Sequence, residues 1–564
     1  MKTKFLILLT ITLLYVTSAF SQGGTTGPLS WNLNNGTLTI NGAGAMPDYG
    51  CTPVPWSEYR ESIVYVVIEN GVTHIGNIAF INCWNLVSIT IANSVTSIGH
   101  GVFQECESLI SVPISKNVSS IGSKVFSYCG SLISIDVDGE NNHYSSADGV
   151  LFNKDKTVLI CYPGGKTGSY NIPDGVQNIE EWAFIKCIHL TDVAIPGSVK
   201  NIWDRAFYRC EGITSVIMSE GVETIGNESF AYCLKMKSIN FPDGLKSIGN
   251  DAFYGCETLL SIAIPHSVTT MGNYAFYWCL DLASVTLSDN MTTINEGAFY
   301  FCRSLTSIIL PKNLEKIEYG SFSDCSSLVS IVIQSSLTDI AEYAFSSCKN
   351  LTSVTNLNPT PIIISPRVFN NVNIKECNLK VPVGAIPDYK KAEVWKEFQI
   401  TGNNGYTVKI TINNPQYGYA TGDGLYEENT NVTITATPYS GYNFVNWTKD
   451  GAEISTDNPF SFTITEDVEL TANFEEKTDI TTITPDTPIT IYPNPTNGEF
   501  RIEMSDMGYE ILEIEIFDVF GNLVSNLKSQ ISNHAFDLSN VPTDVYYIKI
   551  KTSYGTITRK IVKK

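Results

Sequence analysis

The cysteines are the residues of this chain whose number and spacing could carry chemistry. Eleven of the fourteen share one phase of 23 residues, broken once where Cys129 and Cys187 lie 58 residues apart. Cysteines in this number could form disulfides or bind a metal ion. A metal site needs Cys or His clustered at spacings of about two to four residues, and the sequence has no such cluster. A fixed period indicates a repeat array. The in-phase residues are Cys83, Cys106, Cys129, Cys187, Cys210, Cys233, Cys256, Cys279, Cys302, Cys325 and Cys348.

The geometry of stacked repeats decides between disulfides and free thiols. Successive coils place equivalent cysteines about 4.8 Å apart with parallel Cβ directions, whereas a disulfide needs a crossed arrangement. We therefore predict a buried ladder of free thiols, because unpaired cysteine is among the most buried residue types. Cys51, Cys161 and Cys377 are out of phase and are the better candidates for bridging or exposure.

No other group of residues forms a recognisable catalytic or metal-binding pattern. Asp136, Asp138 and Glu140 could hold calcium through oxygen ligands, but their spacing departs from the EF-hand loop and is typical of a solvated turn. The histidines match no metalloprotease motif, and the sequence has no nucleophile elbow or phosphate loop. We therefore predict no catalytic residue, no metal site and no cofactor. The scattered histidines are His74, His100, His143, His189, His266 and His534.

Aromatic side chains beside the in-phase cysteines form the sharper candidate for binding. Several repeats carry a ring one or two positions before the cysteine. Aromatic patches with polar rims favour protein or glycan contact, although rings at equivalent positions can also pack together and complete the outer wall. The predicted ligand-binding residues are Tyr208, Tyr232, Tyr254, Tyr277, Trp278, Tyr300 and Phe301.

The elements that position these residues follow from the repeat pattern. Counted from the cysteine, position +3 is usually Leu, +6 is Ile or Val, and +8 is usually apolar, which predicts a short strand with an inward row. Position +5 is Ser in ten of eleven repeats, from Ser88 to Ser353, and offers an outward, nearly uncharged face. The segment Ala-Phe-x-x-Cys that follows predicts a helical or 3₁₀ turn on the opposite wall, with Phe pointing inward. The fold class is a solenoid of short parallel strands and short turns.

The ends of the chain and its composition set the domain organisation. Residues 1–21 have the charged, apolar and small-residue regions of a secretory signal, with cleavage before Gln22. The apolar run is too short to span a bilayer, so we expect no integral membrane segment after signal removal. Acidic residues outnumber basic ones by 57 to 36, which gives a net charge of -21 and argues against nucleic acid as a partner.

The composition also marks the domain boundaries. We predict a solenoid cap at 22–74 and the solenoid with its C-terminal cap at 75–400, with a hairpin-like excursion between Asp138 and Tyr170. A Thr-rich β module without cysteine spans 406–475, and a linker spans 476–488. A compact Ig-like β-sandwich follows at 489–564.

Three segments resemble known families. The coil L-x-S-I-x-I-P-x-S-V-x-x-I-G-x-x-A-F-x-x-C resembles the leucine-rich repeat of BspA-like surface antigens. Val432 to Pro438 with Gly441 to Trp447 is similar to the divergent internalin B-type repeat. The last domain resembles the type IX secretion sorting domain of Bacteroidota, and its motif residues are Tyr492, Pro493, Asn494, Pro495 and Gly498.

These resemblances imply a secreted or outer-membrane cell-surface adhesin, exported by the type IX secretion machinery. Its expected partners are host extracellular or bacterial surface proteins and glycans, bound through the solenoid. A structural surface coat is an alternative, and a cell-envelope enzyme acting on glycans is another. The enzyme would need a concave pocket with convergent carboxylates.

Overall fold

The computed structural model describes residues 22–50, 53–403, 405–426, 429–439, 441–477, 489–492, 496, 499–504, 511–517, 523–527, 535–538, 545–552 and 555–563. The predicted signal segment, Cys51, most of the predicted linker and most of the sorting motif lie outside these residues. Predictions about them remain predictions.

One wall of the solenoid, here called the first strand wall, consists of short strands from successive coils. From residue 65 to 403 neighbouring strands are parallel, and the predicted serine row is in register, as in Ser111 opposite Ser134 and Ser330 opposite Ser353. The predicted inward row is confirmed, since Ile89, Ile135 and Ile331 are buried. The strands are Tyr65–Ile68, Ser88–Ile91, Ser111–Ile114, Ser134–Val137, Gly168–Asn171, Leu190–Ile195, Ser215–Met218, Ser238–Ile239, Ser261–Ala263, Ser284–Thr286, Ser307–Ile309, Ser330–Ile333, Ser353–Asn356, Asn378–Pro382 and Gln399–Asn403.

A second strand wall was not predicted and follows the bend of each coil. Its strands are two to four residues long, and most of them carry an apolar residue inward, such as Ile248 or Ile294. The strands are Gly44–Ala45, Val72–Ile75, Ser97–Ile98, Ser120–Ile121, Asn178–Ile179, Asn201–Ile202, Thr224–Ile225, Ser247–Ile248, Thr270–Met271, Thr293–Ile294, Lys316–Ile317 and Asp339–Ile340.

The third side of each coil, the turn wall, is built from hydrogen-bonded turns. Within a coil, N–H groups donate to the carbonyl three residues back, as Cys83 does to Phe80 at 3.2 Å. Alternate N–H groups donate instead to the next coil, as Phe80 does to Val102 at 2.9 Å. The helical elements of the described residues lie only at the two ends of the solenoid: Ser57–Ser62, Val383–Ala385, Ile386–Tyr389 and Trp395–Glu397.

Left-handed residues explain why the turn wall does not become a helix. In all eleven coils the residues five and one before the cysteine have φ between 50° and 69°, and only four of these positions are Gly. Trp182 and Trp278 are examples. This conformation costs an L-residue about 1–2 kcal/mol. It persists because it turns every second N–H toward the neighbouring coil, where a carbonyl accepts it.

The interior is filled by continuous rows of equivalent side chains. The Phe rings of successive coils stack with centroids 4.4–5.9 Å apart, from Phe80 to Phe126 and from Phe184 to Phe369. Most of the in-phase thiols donate to the Phe carbonyl of the preceding coil at 2.8–3.4 Å, as Cys256 does to Phe230. The sulfur row therefore packs the core and also links adjacent coils.

The caps close both ends of these rows. At the N-terminal end, within the predicted cap, a hairpin forms between Leu29–Asn34 and Thr37–Gly42, preceded by strand Gln22–Thr26. Trp56 stacks on Phe80 at 5.8 Å and donates its indole N–H to the Ala79 carbonyl. At the C-terminal end Trp395 covers the last Phe of the row at 5.9 Å.

The predicted excursion interrupts the array. It contains the strands Tyr144–Ala147, Val150–Asn153 and Val158–Cys161, in an antiparallel meander. Buried side chains consequently form two clusters, one on each side of it. Strand Val150–Asn153 lies between them, because Leu151 belongs to the N-terminal cluster while Val150 and Phe152 belong to the other.

Residues after the solenoid are β-rich. The strands from 406 to 476 are divided between two compact units, and within each unit neighbouring strands pair antiparallel. The last segment has two antiparallel sheets, of three and four strands among the described residues. The predicted solenoid followed by β-rich regions is confirmed, and the Ig-like character of the last domain stays a prediction. The strands are Tyr406–Ile412, Gly418–Thr421, Gly424–Tyr426, Asn431–Pro438, Tyr442–Lys449, Ala452–Ser455, Phe460–Thr463, Val468–Glu476, Ile489–Tyr492, Glu499–Met504, Ile511–Phe517, Leu523–Leu527, Ala535–Asp537, Val545–Thr552 and Gly555–Val562.

The structure confirms the predicted thiol ladder and corrects one expectation about the other cysteines. All eleven in-phase cysteines are free and buried. Cys161 is free and partly exposed. Cys377 was expected to be bridging or exposed, but it is free and fully buried, because it lies just before the capping strand Asn378–Pro382.

We expect the ladder thiols to resist modification in the folded chain. Burial raises the pKa of Cys83 and of Cys348 to about 12, so at pH 8 the reactive thiolate is scarcer by about a thousandfold. Ellman's reagent followed by peptide mapping should find these thiols unmodified in the native protein and modified in guanidinium. A surface cysteine introduced by Ser307→Cys provides the reactive control. Equal labelling of this introduced thiol and the ladder would contradict the buried arrangement.

Asp251 gives the turn wall a pH-dependent stability. It is a left-handed residue, and burial together with the charge of Glu228 raises its carboxyl pKa to about 6. Below about pH 4 the carboxyl group is protonated in both folded and unfolded chains. Between about pH 4 and 6 the unfolded chain ionises first, so this residue lowers the unfolding free energy as the pH rises.

Asp251→Asn should therefore stabilise the chain by about 1–2 kcal/mol at pH 7, a value reduced for the residue's partial exposure. Asn keeps the left-handed conformation. The gain should vanish at pH 3.5, and urea denaturation at the two pH values measures it. Asp339→Asn, at an exposed position on the second strand wall, is the matched control. A gain of equal size at both pH values would rule out the ionisation of Asp251 as its cause.

Candidate functional site

The predicted binding residues form one continuous aromatic ladder along the turn wall. Tyr232 contacts Tyr208 at 5.7 Å and Tyr254 at 4.8 Å between ring centroids. Tyr277 lies 4.9 Å from Tyr254 and 5.2 Å from Tyr300. The seven residues named from the sequence are thus brought together, and we call the set Tyr208, Tyr232, Tyr254, Tyr277, Trp278, Tyr300 and Phe301 the aromatic ladder.

The last two coils of the ladder add a second row. Trp278 and Phe301 have left-handed backbones and place their ring centroids 5.1 Å apart. Tyr300 stacks on Phe301 at 4.5 Å with an interplanar angle of 5°. Two adjacent rows therefore form a small aromatic platform at this end.

The local sequence explains how the ladder stays continuous in the coil of Cys233, where the ring comes from a different repeat position. The coil of Cys233 has Ala231 where its neighbours have Tyr, and its ring comes from Tyr232 instead. The next coil has Gly255 in the left-handed position, and a Cβ there would meet the Tyr232 ring at 3.1 Å. The missing side chain lets Tyr232 reach across and contact Tyr254.

The rings are packed on one another and still accessible. Trp278 is 37% exposed, and the other six residues are partly buried. Burial raises the pKa of Tyr232, Tyr277 and Tyr300, so the phenols are uncharged hydrogen-bonding groups at neutral pH. The surface combines ring faces with neutral hydroxyls.

The structure extends the ladder with residues that the sequence reasoning missed. Trp182 contacts Tyr208 at 5.7 Å, and Tyr274 contacts Tyr277 at 5.8 Å. Both occupy the left-handed position five residues before the cysteine. The sequence does contain a signal for them, because the position five residues before the cysteine is aromatic in several coils. In other coils that position holds charged residues or Gly, which obscures the pattern.

Arginine side chains lie over several rings and were also missed. The Arg209 guanidinium lies 5.2 Å from the Tyr232 ring centroid, and that of Arg303 lies 5.2 Å from Phe301. A cation over an aromatic face is attracted by the ring quadrupole. The ladder is therefore flanked by positive charge although the chain is acidic overall.

The outward face of the first strand wall is the other surface available. The serine row lies in register there, and exposed apolar side chains accompany it. Ile309 is 76% exposed, Ile217 60% and Leu260 52%. The nearly uncharged face predicted from the sequence thus carries exposed apolar residues, which are spread among Ser and Thr.

The other candidate residues from the sequence do not come together as a site among the described residues. Lys116 binds Glu140 at 2.8 Å, and Asp138 accepts the Glu140 backbone N–H. Among the described residues, no three His, Cys, Asp or Glu side chains are grouped as a metal site. In the sorting motif, Tyr492 ends strand Ile489–Tyr492 opposite Arg501, while Pro493, Asn494, Pro495 and Gly498 lie outside the described residues.

Comparison with protein families confirms the three predicted resemblances. The BspA type leucine-rich repeat region matches residues 58–154, 161–283 and 269–390, more than half of the chain. The divergent InlB B-repeat domain matches residues 408–478, and the secretion system C-terminal sorting domain matches residues 490–564. The sorting domain indicates a secreted or outer-membrane surface location.

Two of the solved structures that this chain resembles are bacterial leucine-rich repeat proteins. A leucine-rich repeat protein from Eubacterium ventriosum is 25% identical, with a TM-score of 0.41, covering 63% of this chain and 95% of its own. A leucine rich cell surface protein from Faecalibacterium prausnitzii is 26% identical, with a TM-score of 0.38, covering 59% and 94%. No curated protein matches the chain.

The repeat match and the stacked coils concern the same region of the chain. Among the described residues, no helix is both long and apolar enough to cross a bilayer. The coil sequence, its parallel register and the family match agree. The chain belongs to the BspA type leucine-rich repeat family.

Proposed function

We propose that this exported surface protein is a non-catalytic adhesin that binds a host or bacterial macromolecule through the aromatic ladder. The observation that carries the proposal is the continuity of the rings, from Tyr208 to Phe301, on one accessible wall. The Phe row of the core is buried, whereas these rings are partly exposed.

The chemistry of the ladder fits a protein or glycan partner. Ring faces stack on the apolar faces of sugars or on aromatic and aliphatic side chains, and phenol hydroxyls donate hydrogen bonds at the rim. Tyr, Trp and Arg are the residues enriched at binding hot spots. Trp278, Tyr300 and Arg303 bring these three types together at one end of the ladder.

The proposed roles of the other segments follow the predicted boundaries. The cap at 22–74 and the solenoid at 75–400 form the binding region. The module at 406–475 is a spacer, and the linker at 476–488 joins it to the sorting domain at 489–564. The partner of the sorting domain is the type IX secretion machinery.

A surface-coat role would need no ligand and would use the walls only for lateral packing. The exposed apolar residues of the first strand wall, such as Ile217 and Ile309, are the observation that favours this alternative. The two roles use different walls, so variants of one wall separate them.

Replacement of Tyr277, Trp278 and Tyr300 together by Ala should weaken binding to an array of host glycoproteins and glycans at least tenfold. Loss of hot-spot aromatics typically costs about 2 kcal/mol or more. Surface plasmon resonance on the positive array members, with the secreted chain and its variant, measures the change.

The matched control replaces Ser261, Ser284 and Ser307 on the first strand wall by Ala. This variant should bind within twofold of the parent chain. An unchanged affinity in the aromatic variant, with a loss in the serine variant, would place the binding surface on the strand wall. Absence of any saturable ligand would support the coat role instead.

A further inference from the structure

Basic residues at the left-handed positions of the turn wall are confined to one stretch of it. These two positions of each coil hold four basic residues in all, and all of them belong to the coils of Cys129, Cys187 and Cys210. In every other coil the same positions are neutral or acidic. Positive charge is therefore concentrated at one place on an acidic chain. The four residues are Lys124, Lys186, Arg205 and Arg209.

Carboxylates compensate the charge of Arg205 but not that of the other three residues. The Arg205 guanidinium is paired with Glu228 and lies 4.0 Å from the Glu181 carboxylate. Within the part of the chain that the structure describes, the other three cations form no ion pair. Their charge is therefore available to a ligand. We call Lys124, Lys186 and Arg209 the cation row.

Aromatic rings hold the two lysines of the cation row in place. The Lys124 ammonium lies 4.4 Å from the ring centroid of Trp182, and the Lys186 ammonium lies 5.0 Å from that of Tyr128. Neither ammonium donates a hydrogen bond to another described residue. A free lysine loses rotamer freedom when it binds a ligand, whereas a lysine already held against a ring loses less. The two charges are thus preorganised for an anion.

Arg209 joins the cation row to the aromatic ladder. Its guanidinium lies 5.8 Å from the Tyr208 ring centroid and 5.2 Å from that of Tyr232. Its Nε atom is buried without a hydrogen-bond partner among the described residues, so a donor beside the rings is unused. Trp182, which holds Lys124, contacts Tyr208 at 5.7 Å. The cations and the rings therefore form one continuous strip on the turn wall.

Acidic residues bound the cation row. Glu105 occupies a left-handed position in the coil before the row, and Glu228 occupies one in the coil after it. Glu211 lies near Arg209. In the described structure none of these three acids forms an ion pair with the cation row. Carboxylates repel the acid groups of a ligand, so these residues confine the anionic groups of a ligand to the cation row itself.

We propose that the cation row binds the sulfate or carboxylate groups of an anionic polysaccharide, whose chain continues onto the aromatic ladder; this inference rests on the proposed adhesin function. Successive coils are about 4.8 Å apart, so cations and rings recur at multiples of one interval along the wall. A polysaccharide also repeats its acid groups and sugar rings at a constant interval, whereas the acidic residues of a folded protein are irregularly placed. The regularity of the strip favours a glycan over an acidic protein.

Heparin, which carries both sulfate and carboxylate groups, tests the proposal on the full secreted chain. We expect saturable binding by biolayer interferometry, at least tenfold tighter than binding of the neutral glycan dextran, and weaker binding as the NaCl concentration rises. N-acetylheparosan carries carboxylates but no sulfate. Equal binding of this glycan identifies the carboxylate as the recognised group, and weaker binding identifies the sulfate. Poly-glutamate, an acidic peptide, should bind at least tenfold more weakly than heparin.

Two triple variants locate the acid groups of the ligand. Replacement of the cation row by Gln should weaken heparin binding at least tenfold, because Gln keeps part of the apolar stem but removes the charge. The matched control removes three exposed cations elsewhere on the solenoid and should bind within twofold of the parent chain. Lys124→Arg with Lys186→Arg keeps the charge and should bind within threefold. Thermal unfolding of all variants separates lost binding from lost folding. The substitutions are Lys124→Gln, Lys186→Gln and Arg209→Gln in the row, and Lys237→Gln, Lys316→Gln and Lys349→Gln in the control.

Three results would overturn the inference. The first is heparin binding no tighter than that of dextran, and the second is an equal loss of binding in the two triple variants. The third is poly-glutamate binding as tight as that of heparin, since it would identify an acidic protein as the partner. Binding of neutral glycans through Tyr277, Trp278 and Tyr300, without binding of heparin, would also overturn it but leave the proposed function intact. Heparin binding that needs the cation row but not those three rings would support the inference and contradict the aromatic ladder as the adhesive surface.

Discussion

Every coil of this solenoid depends on backbone hydrogen bonds to the coil before and after it. A single coil has two short strands and a series of turns, and it cannot satisfy its own alternate N–H and C=O groups. Left-handed residues at two fixed positions aim those groups along the stacking axis. Their conformational cost is offset only when a neighbour accepts the bonds, so the turn wall and the stack stabilise each other.

The same arrangement separates core from surface. Phe, three residues before the cysteine, points inward and forms the buried stack, while a ring two residues before the cysteine lies on the outer side of the wall. An outward position therefore recurs at constant spacing on a rigid wall. Tyr208, Tyr254, Tyr277 and Tyr300 use it, and the last three approach to stacking distance because coil spacing and ring spacing agree.

The period of 23 residues predicted the stack, the inward rows and the thiol ladder because each depends on residue type at a fixed position. The left-handed positions were not predicted, since Ile78, Lys124 and Trp182 are residue types that disfavour positive φ. Gly101 and Gly255 occupy such positions and are a weak sequence signal of the left-handed backbone. The way in which the excursion joins the two halves of the array was not predicted, because it depends on how residues more than fifty positions apart are brought into one wall.

The excursion also divides the solenoid mechanically. Stability in a linear array is approximately the sum of each repeat and its contacts with the nearest neighbours. At residues 138–170 the Phe stack is interrupted and the buried side chains form two clusters that meet at one strand. Folding cooperativity is therefore weakest at residues 138–170. Unfolding that begins in the N-terminal coils, by force or by heat, is expected to stop there, so these coils can open while the longer C-terminal stack stays folded.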